Sequence, residues 1–240
     1  MAGKLHKYEN AGQARRLDGN VFGRRKSKPL RKTQAEIHGR LLPKLVIDID
    51  QPKPESLHAL FPDPVEKFVL EIGFGGGEYL AHRATGNPKT GFIGCEPFIN
   101  GMAKLLTKID VNAISNIRVF DEDAALLLDW LPDQSLSQVD LLYPDPWPKK
   151  RHLKRRFVNL ENLGQIHRVL RQGGEFRFAS DIDDYVNWTL DLVAGHDGFE
   201  PEYSQPSGRQ IAWEGWVSTR YEQKAIREGR EPSYLIFRRR

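Results

Sequence analysis

Cysteine is almost missing from these 240 residues; Cys95 is the only one. A lone thiol cannot close an internal disulfide, so the chain is no disulfide scaffold and suits a reducing cytoplasm. Cys95 lies in the apolar run "GFIGCEP" and reads as a small buried hydrophobe. Long apolar runs are missing too, since none approaches the ~18–20 residues needed to span a bilayer. The opening stretch "MAGKLHKYENAGQARRL" has no apolar h-region, so a secretory signal is not expected, and Glu9 and Asp18 break the acid-poor pattern of a mitochondrial presequence. No internal repeat is visible. His152, His167 and His196 lack ligand spacing with one another or with Cys95, so no metal site is expected.

What is present is an ordinary globular composition, 39% hydrophobic and 28% charged, long enough to bury a substantial core. The net charge of +4 hides an uneven distribution. Residues 1–44 hold twelve Lys/Arg against three Asp/Glu, leaving 24 against 29 for the rest. A basic segment on a mildly acidic body suggests an arm that meets phosphate backbone. Residues 1–44 show no sustained periodicity, so residues 1–50 are expected to be a basic, partly flexible arm with short ordered pieces. Residues 51–240 are expected to form one domain, entered through the proline-rich "QPKPESLHALFPDP".

Short apolar runs then alternate with helical patterns. "KFVLEI", "TGFIGC", "NIRVF", "QVDLL" and "EFRFAS" read as strands, and "SYLIFRR" as a last one. Between them, Met102, Leu105, Leu106 and Ile109 share one helical face, and "AALLLDWL" and "DDYVNWTLDLVAG" also read as helices. A helix through Leu163, Ile166 and Leu170 is predicted to stop at Gly173–Gly174 as its C-cap. Alternating β and α units with near-continuous apolar strands imply an α/β fold, a mostly parallel sheet with helices on both faces.

In "LEIGFGGGEY", glycines stand at 73, 75, 76 and 77, but position 78, where a dinucleotide fingerprint needs its third glycine, is Glu78. The pattern is G-x-G-x-G, led by Gly73 and Gly75. Such a loop lets backbone approach a ligand without building a pyrophosphate seat. Glu96 closes the second strand, where a carboxylate can accept both hydroxyls of a ribose. Asp121, Glu122 and Asp123 follow the third strand near the expected adenine edge; Asp123 also suits a plain helix N-cap. Glu71, inside the first strand, would reach the amino end of the ligand. Adenosine without a pyrophosphate fingerprint favours S-adenosylmethionine over NAD, so a nicotinamide oxidoreductase is the weaker rival.

The fourth strand runs into "YPDPWPKKRHLKRRF". Asp145 stands at its C-terminal end, where open α/β sheets bind ligands, between prolines that stiffen the loop. Tyr143 and Trp147 offer flat faces on which a base can stack. The block from Lys149 to Arg156 holds six Lys/Arg in eight residues, so Lys150, Arg151, Lys154, Arg155 and Arg156 are candidates for an RNA backbone. Arg220, Lys224 and Arg227 make a second basic stripe if "TRYEQKAIREG" is helical.

"PDPWPKKRH", "EIGFGGGEYL", the acid in "GCEPF" and "STRYE" together resemble the bacterial tRNA (guanine-N7-)-methyltransferase family, from about Lys67 onward. The resemblance implies a Rossmann-like class I fold using S-adenosylmethionine to methylate N7 of the variable-loop guanine, position forty-six, of tRNA. It implies methyl-donor contacts at Glu71, Glu96, Asp123 and Asp145, with Asp145 also catalytic. Substrate contacts are implied at Lys149, Asp181, Thr219, Arg220, Tyr221 and Glu222. The other readings are a methyltransferase of another RNA base, and a non-catalytic RNA-binding module on the same fold. Monomer and homodimer stay open.

Overall fold

The computed structural model describes residue 25, residues 28–202 and residues 211–240. Most of the basic arm therefore lies outside the described residues. Strands β1 (Lys67–Ile72), β2 (Thr90–Cys95), β3 (Ile117–Phe120), β4 (Leu136–Leu142), β5 (Leu170–Ser180), β6 (Phe199–Glu202) and β7 (Ser233–Arg239) form a single sheet. Its order is β3-β2-β1-β4-β5-β7-β6. Pairing is parallel from β3 through β5, while β7 runs antiparallel to both β5 and β6. Helices α1 (Lys32–Leu45), α2 (Glu78–Gly86), α3 (Ile99–Val111), α4 (Ala124–Trp130), α5 (Leu160–Val169), α6 (Asp183–Ala194) and α7 (Arg220–Arg227) complete the chain.

The strands alternate sharply between two cores. Val69 and Phe92 pack with Leu80, Met102 and Leu105 on the α1–α3 face, while Leu70, Ile93, Val139 and Phe176 pack with Leu127, Leu163 and Tyr185 on the α4–α6 face. Both faces are covered, which is why the parallel strands read as continuous apolar runs. Each such fully buried aliphatic or Phe side chain contributes roughly 1.5–3 kcal/mol. The alternation also puts Glu71 and its register partner Asp140 on the α2 face, where a polar residue must find polar company.

Three features depart from the sequence reading. A 14-residue helix, α1, occupies the end of the basic segment and buries Ile37. Beyond it, Val46 bridges to Val119, and the Ile47 N–H donates to the Val119 carbonyl at 2.8 Å, so this stretch caps the sheet beside β3. Second, α5 ends at Val169, and Gly173–Gly174 is not its C-cap. The register shift between Leu136 and Gln138 marks an irregularity at the start of β5, and Gly173 there has φ of 71°. The glycines serve that kink. Third, β6 is a short edge strand in a stretch to which the sequence assigned no element; four residues with a proline give too little alternation to announce it.

Candidate active site

From β1 the chain passes outward to β2 and β3, then crosses back to β4 on the other side of β1. Such a reversal opens a crevice at the carboxyl ends of the two neighbouring strands. A cleft of about 420 Å³ lies there, and its walls include Gly73, Gly75, Glu96, Asp123, Asp145 and Tyr221. Six candidates from widely spaced stretches of sequence thus share one cavity.

The glycine loop needs its glycines for two separate reasons. Gly75 has φ of 58°, and a Cβ there would come within 3.1 Å of the Tyr221 ring. The loop also rests on the first turn of α3, where a Cβ on Gly101 would stand 2.2 Å from the Gly75 carbonyl oxygen. We expect Gly101→Ala to destabilise the protein by about 1–3 kcal/mol, since backbone must move to relieve the overlap. Thermal unfolding should register a Tm lower by roughly 2–10 °C; an unchanged Tm would mean that the loop is not held against α3.

Glu96 ties loop and helix together. Its Oε2 accepts from the Gly75 N–H at 2.7 Å and its Oε1 from the Phe98 N–H at 3.0 Å. Burial raises its pKa, and the two N–H donors oppose that shift. Asp123 caps α4, accepting from the Ala125 N–H at 3.0 Å, while also standing in the cleft wall. The helix-cap reading of Asp123 is therefore true, and it leaves the residue on the cleft. Glu71 is buried two residues before Gly73 and is not on the cleft wall. Its Oε2 has no hydrogen-bond partner among the described residues. Burial, and then the neighbouring Asp140, push its pKa well up.

Asp145 is exposed at the cleft mouth, on a loop with strained neighbours. Tyr143 and Trp147 have φ of 50° and 42°, values that cost non-glycine residues of order 1–3 kcal/mol each. The enclosing loop raises the pKa of Asp145 through partial burial. One face of Trp147 carries the Arg155 guanidinium at 4.9 Å. From beneath, Arg156 holds the loop, with its Nε donating to the Pro146 carbonyl at 2.8 Å.

That last contact corrects a sequence expectation. Arg156 is 1% exposed; it pairs with Asp184 and lies over the rings of Tyr185 and Trp188. It presents no face to a phosphate. The other members of its block, Lys149, Lys150, Arg151 and Lys154, are exposed on or beside a single 3-10 segment, Lys150–Arg155.

At the C-terminal side, Thr219 caps α7, its Oγ1 accepting from the Glu222 N–H at 3.2 Å. Arg220 lies over the Tyr221 ring and donates to its hydroxyl at 2.8 Å. Tyr221 reaches the glycine loop, but Glu222 points inward. It is buried and accepts from the Trp216 indole at 2.9 Å and from the Tyr234 hydroxyl. Among the described contacts Glu222 is a brace for α7, not a group facing the cleft. Asp181 is held by Arg230 at 2.5 Å, away from the cleft wall. Reading the sequence alone missed Arg83, Asp140 and the indole of Trp213. The signal available was Asp140 itself, a carboxylate inside an apolar strand that had to have a partner.

A parallel sheet with a glycine loop after β1, an acid closing β2 and an acidic, proline-stiffened loop after β4 defines a Rossmann-like class I methyltransferase fold. Two solved structures share it: an rRNA methylase from Streptococcus thermophilus (TM-score 0.51, 15% identity, covering 73% of this chain and 88% of that one) and a 16S rRNA methyltransferase (TM-score 0.52, 16% identity, covering 78% and 94%). The family described as "Putative methyltransferase" matches residues 65–234. A tRNA (guanine-N(7)-)-methyltransferase from Rhizobium johnstonii is 59% identical over 218 residues, spanning 91% of this chain and 94% of its own. One from Brucella melitensis biotype 1 is 54% identical over 225 residues, spanning 94% and 97%. The chain belongs to the bacterial tRNA (guanine-N7-)-methyltransferase family.

The cavity suits the methyl donor of that family. Glu96 and Asp123 put carboxylate acceptors on its wall, and Glu71 is a buried acid with an oxygen short of a donor. Among the described residues, no helix is long and apolar enough to cross a membrane.

Proposed function

We propose that this protein transfers a methyl group from S-adenosylmethionine to N7 of the variable-loop guanine of tRNA, position forty-six, forming 7-methylguanosine. The observation that carries this reading is the convergence of the glycine loop, Glu96, Asp123 and Asp145 on one cleft at the switch point, in a chain whose relatives bear that name. Activity on tRNA would place the protein in the cytoplasm.

When bound, S-adenosylmethionine supplies an electrophilic methyl group, which N7 of guanine can take directly through its in-plane lone pair. No proton has to leave N7, so the site needs no general base there. Asp145 instead orients the base by accepting from its N1–H and amino group, and offsets the positive charge the ring acquires. Glu96 and Asp123 accept from the nucleoside part of the donor, and the Gly73–Gly75 turn lets backbone lie against it. The strained backbone at Tyr143 and Trp147 is consistent with a loop preorganised for this task.

In this reading Lys149, Lys150, Arg151 and Lys154, all exposed, follow the tRNA backbone, and Arg155 lies over Trp147. With each neutralised phosphate contributing about 0.7–0.9 to the log–log salt slope, replacing any one of the exposed four by Ala should make the slope of tRNA affinity shallower by about 1. Filter binding across a salt series reads this directly, and unchanged slopes for all four would move the RNA to another face.

The function itself is tested by incubating the protein with S-adenosylmethionine and an unmodified tRNA transcript, followed by nucleoside mass spectrometry. 7-Methylguanosine is the expected product. A different methylated nucleoside would keep the donor and overturn the account of Asp145. Bound tRNA without methylation would favour an RNA-binding module.

A further inference from the structure

Beneath the glycine loop, on the α2 face of the sheet, lies a buried charged cluster that the mechanism above does not use. Arg83 of α2 donates to Asp140 Oδ2 at 2.7 Å, and the Gln138 amide donates to Asp140 Oδ1 at 2.6 Å. Glu71 and Asp140 are register neighbours on β1 and β4, and Arg177 of β5 is the next partner along. The guanidinium of Arg83 is pinned over the rings of Tyr79 and Phe92, and Tyr79 accepts from the Trp213 indole at 2.7 Å.

The pairings leave one acid over. Asp140 has Arg83 and Gln138, and Glu175 has Arg177 at 2.7 Å. Of the other carboxylates facing Glu71, Glu78 has Lys108 at 3.8 Å and Glu96 has two backbone N–H donors. Glu71 has an oxygen with no hydrogen-bond partner among the described residues, yet it is buried two residues before Gly73. A buried carboxylate in that position either takes a proton or receives a cation. Asp140 beside it favours the proton; Arg83 favours the charge.

We propose that Arg83 is a positioning residue for the methyl-donor site: by holding Asp140 it leaves Glu71, just behind the Gly73 turn of the cleft, as the carboxylate of the cluster with an oxygen open to the ammonium group of the donor. The proposal rests on the donor reading given above.

Two probes separate this role from mere support of the cleft. S-Adenosylhomocysteine carries the ammonium, whereas 5′-methylthioadenosine has the same nucleoside and thioether without it. In calorimetric titrations, Arg83→Met should weaken S-adenosylhomocysteine by about tenfold to a hundredfold, the range of one charge-assisted hydrogen bond, with methylthioadenosine changed by less than ~3-fold. Adding Asp140→Asn removes the competing acid, so the double variant should recover most of the lost affinity. If Arg83→Met is too unstable to titrate, Asp140→Asn alone frees Arg83 to pair with Glu71 and should weaken only S-adenosylhomocysteine. Equal losses on both probes, no loss in either single variant, or a double variant as weak as Arg83→Met would overturn the role. Wild-type protein that binds neither probe would instead sink the donor reading itself.

Discussion

Asp145→Asn is expected to lower kcat for methyl transfer by about 10²- to 10³-fold while changing the KM for tRNA little. Asparagine keeps the shape and one acceptor oxygen but loses the charge, and removing one preorganised electrostatic group from a site costs about that factor. The loop leaves little freedom to compensate, with prolines on either side of Asp145 and left-handed backbone at Tyr143 and Trp147. Asp145→Ala should fall further, because the acceptor that orients the base is gone as well. The pH profile gives a second readout. Partial burial raises the pKa of Asp145, and the carboxylate is the working form. Activity should therefore be lost as pH falls through this raised pKa, giving an acid limb at higher pH than an unperturbed aspartate would. In Asp145→Asn that limb should vanish. Single-turnover methylation across pH reads both effects, and full activity in Asp145→Asn would remove charge stabilisation from the mechanism.

The second large effect is on stability. Arg156→Ala should destabilise the protein by about 3–5 kcal/mol, the range for emptying a large buried site. Its guanidinium fills space between Tyr185 and Trp188 and holds Asp184 and the Pro146 carbonyl at once. Thermal unfolding should show a Tm lower by roughly 6–20 °C. Arg156→Lys should recover only part of this, since an ammonium cannot stack or fork as a guanidinium does. Because Pro146 adjoins Asp145, the proposed catalytic residue, the surviving folded fraction should also methylate more slowly. A variant as stable as wild type, with a shallower salt slope for tRNA, would return Arg156 to the surface role suggested by its sequence neighbours.

Arg156 also shows where sequence stops being informative. Six basic residues in a row of eight look alike as text, but the 3-10 turn sends one of them inward, and only the positions of Tyr185 and Trp188 reveal which. The parallel strands, α3, α4 and α6 were legible because burial on both faces writes itself as apolar runs and helical stripes. The glycine loop, Glu96, Asp123 and Asp145 were legible because motif order along an α/β chain maps onto position at the sheet's carboxyl edge. Helix α1 was not, as its apolar stripe is short, Ile37, Leu41, Leu42 and Leu45, and is set in a basic segment with Pro43 inside it. The bracing contacts of Glu222 were not legible either, because its partners Trp216 and Tyr234 come from either side along the chain.

The position of β7 between β5 and β6 has a consequence for biosynthesis. β6 leaves the ribosome before β7, yet it joins the sheet only through β7. Until Ser233–Arg239 emerge, β5 offers a naked hydrogen-bonding edge, and at ~5–20 residues per second that interval lasts several seconds. A nascent chain in this state is open to pairing with a neighbouring copy. Translation stalled within α7 should therefore yield clumped polypeptide.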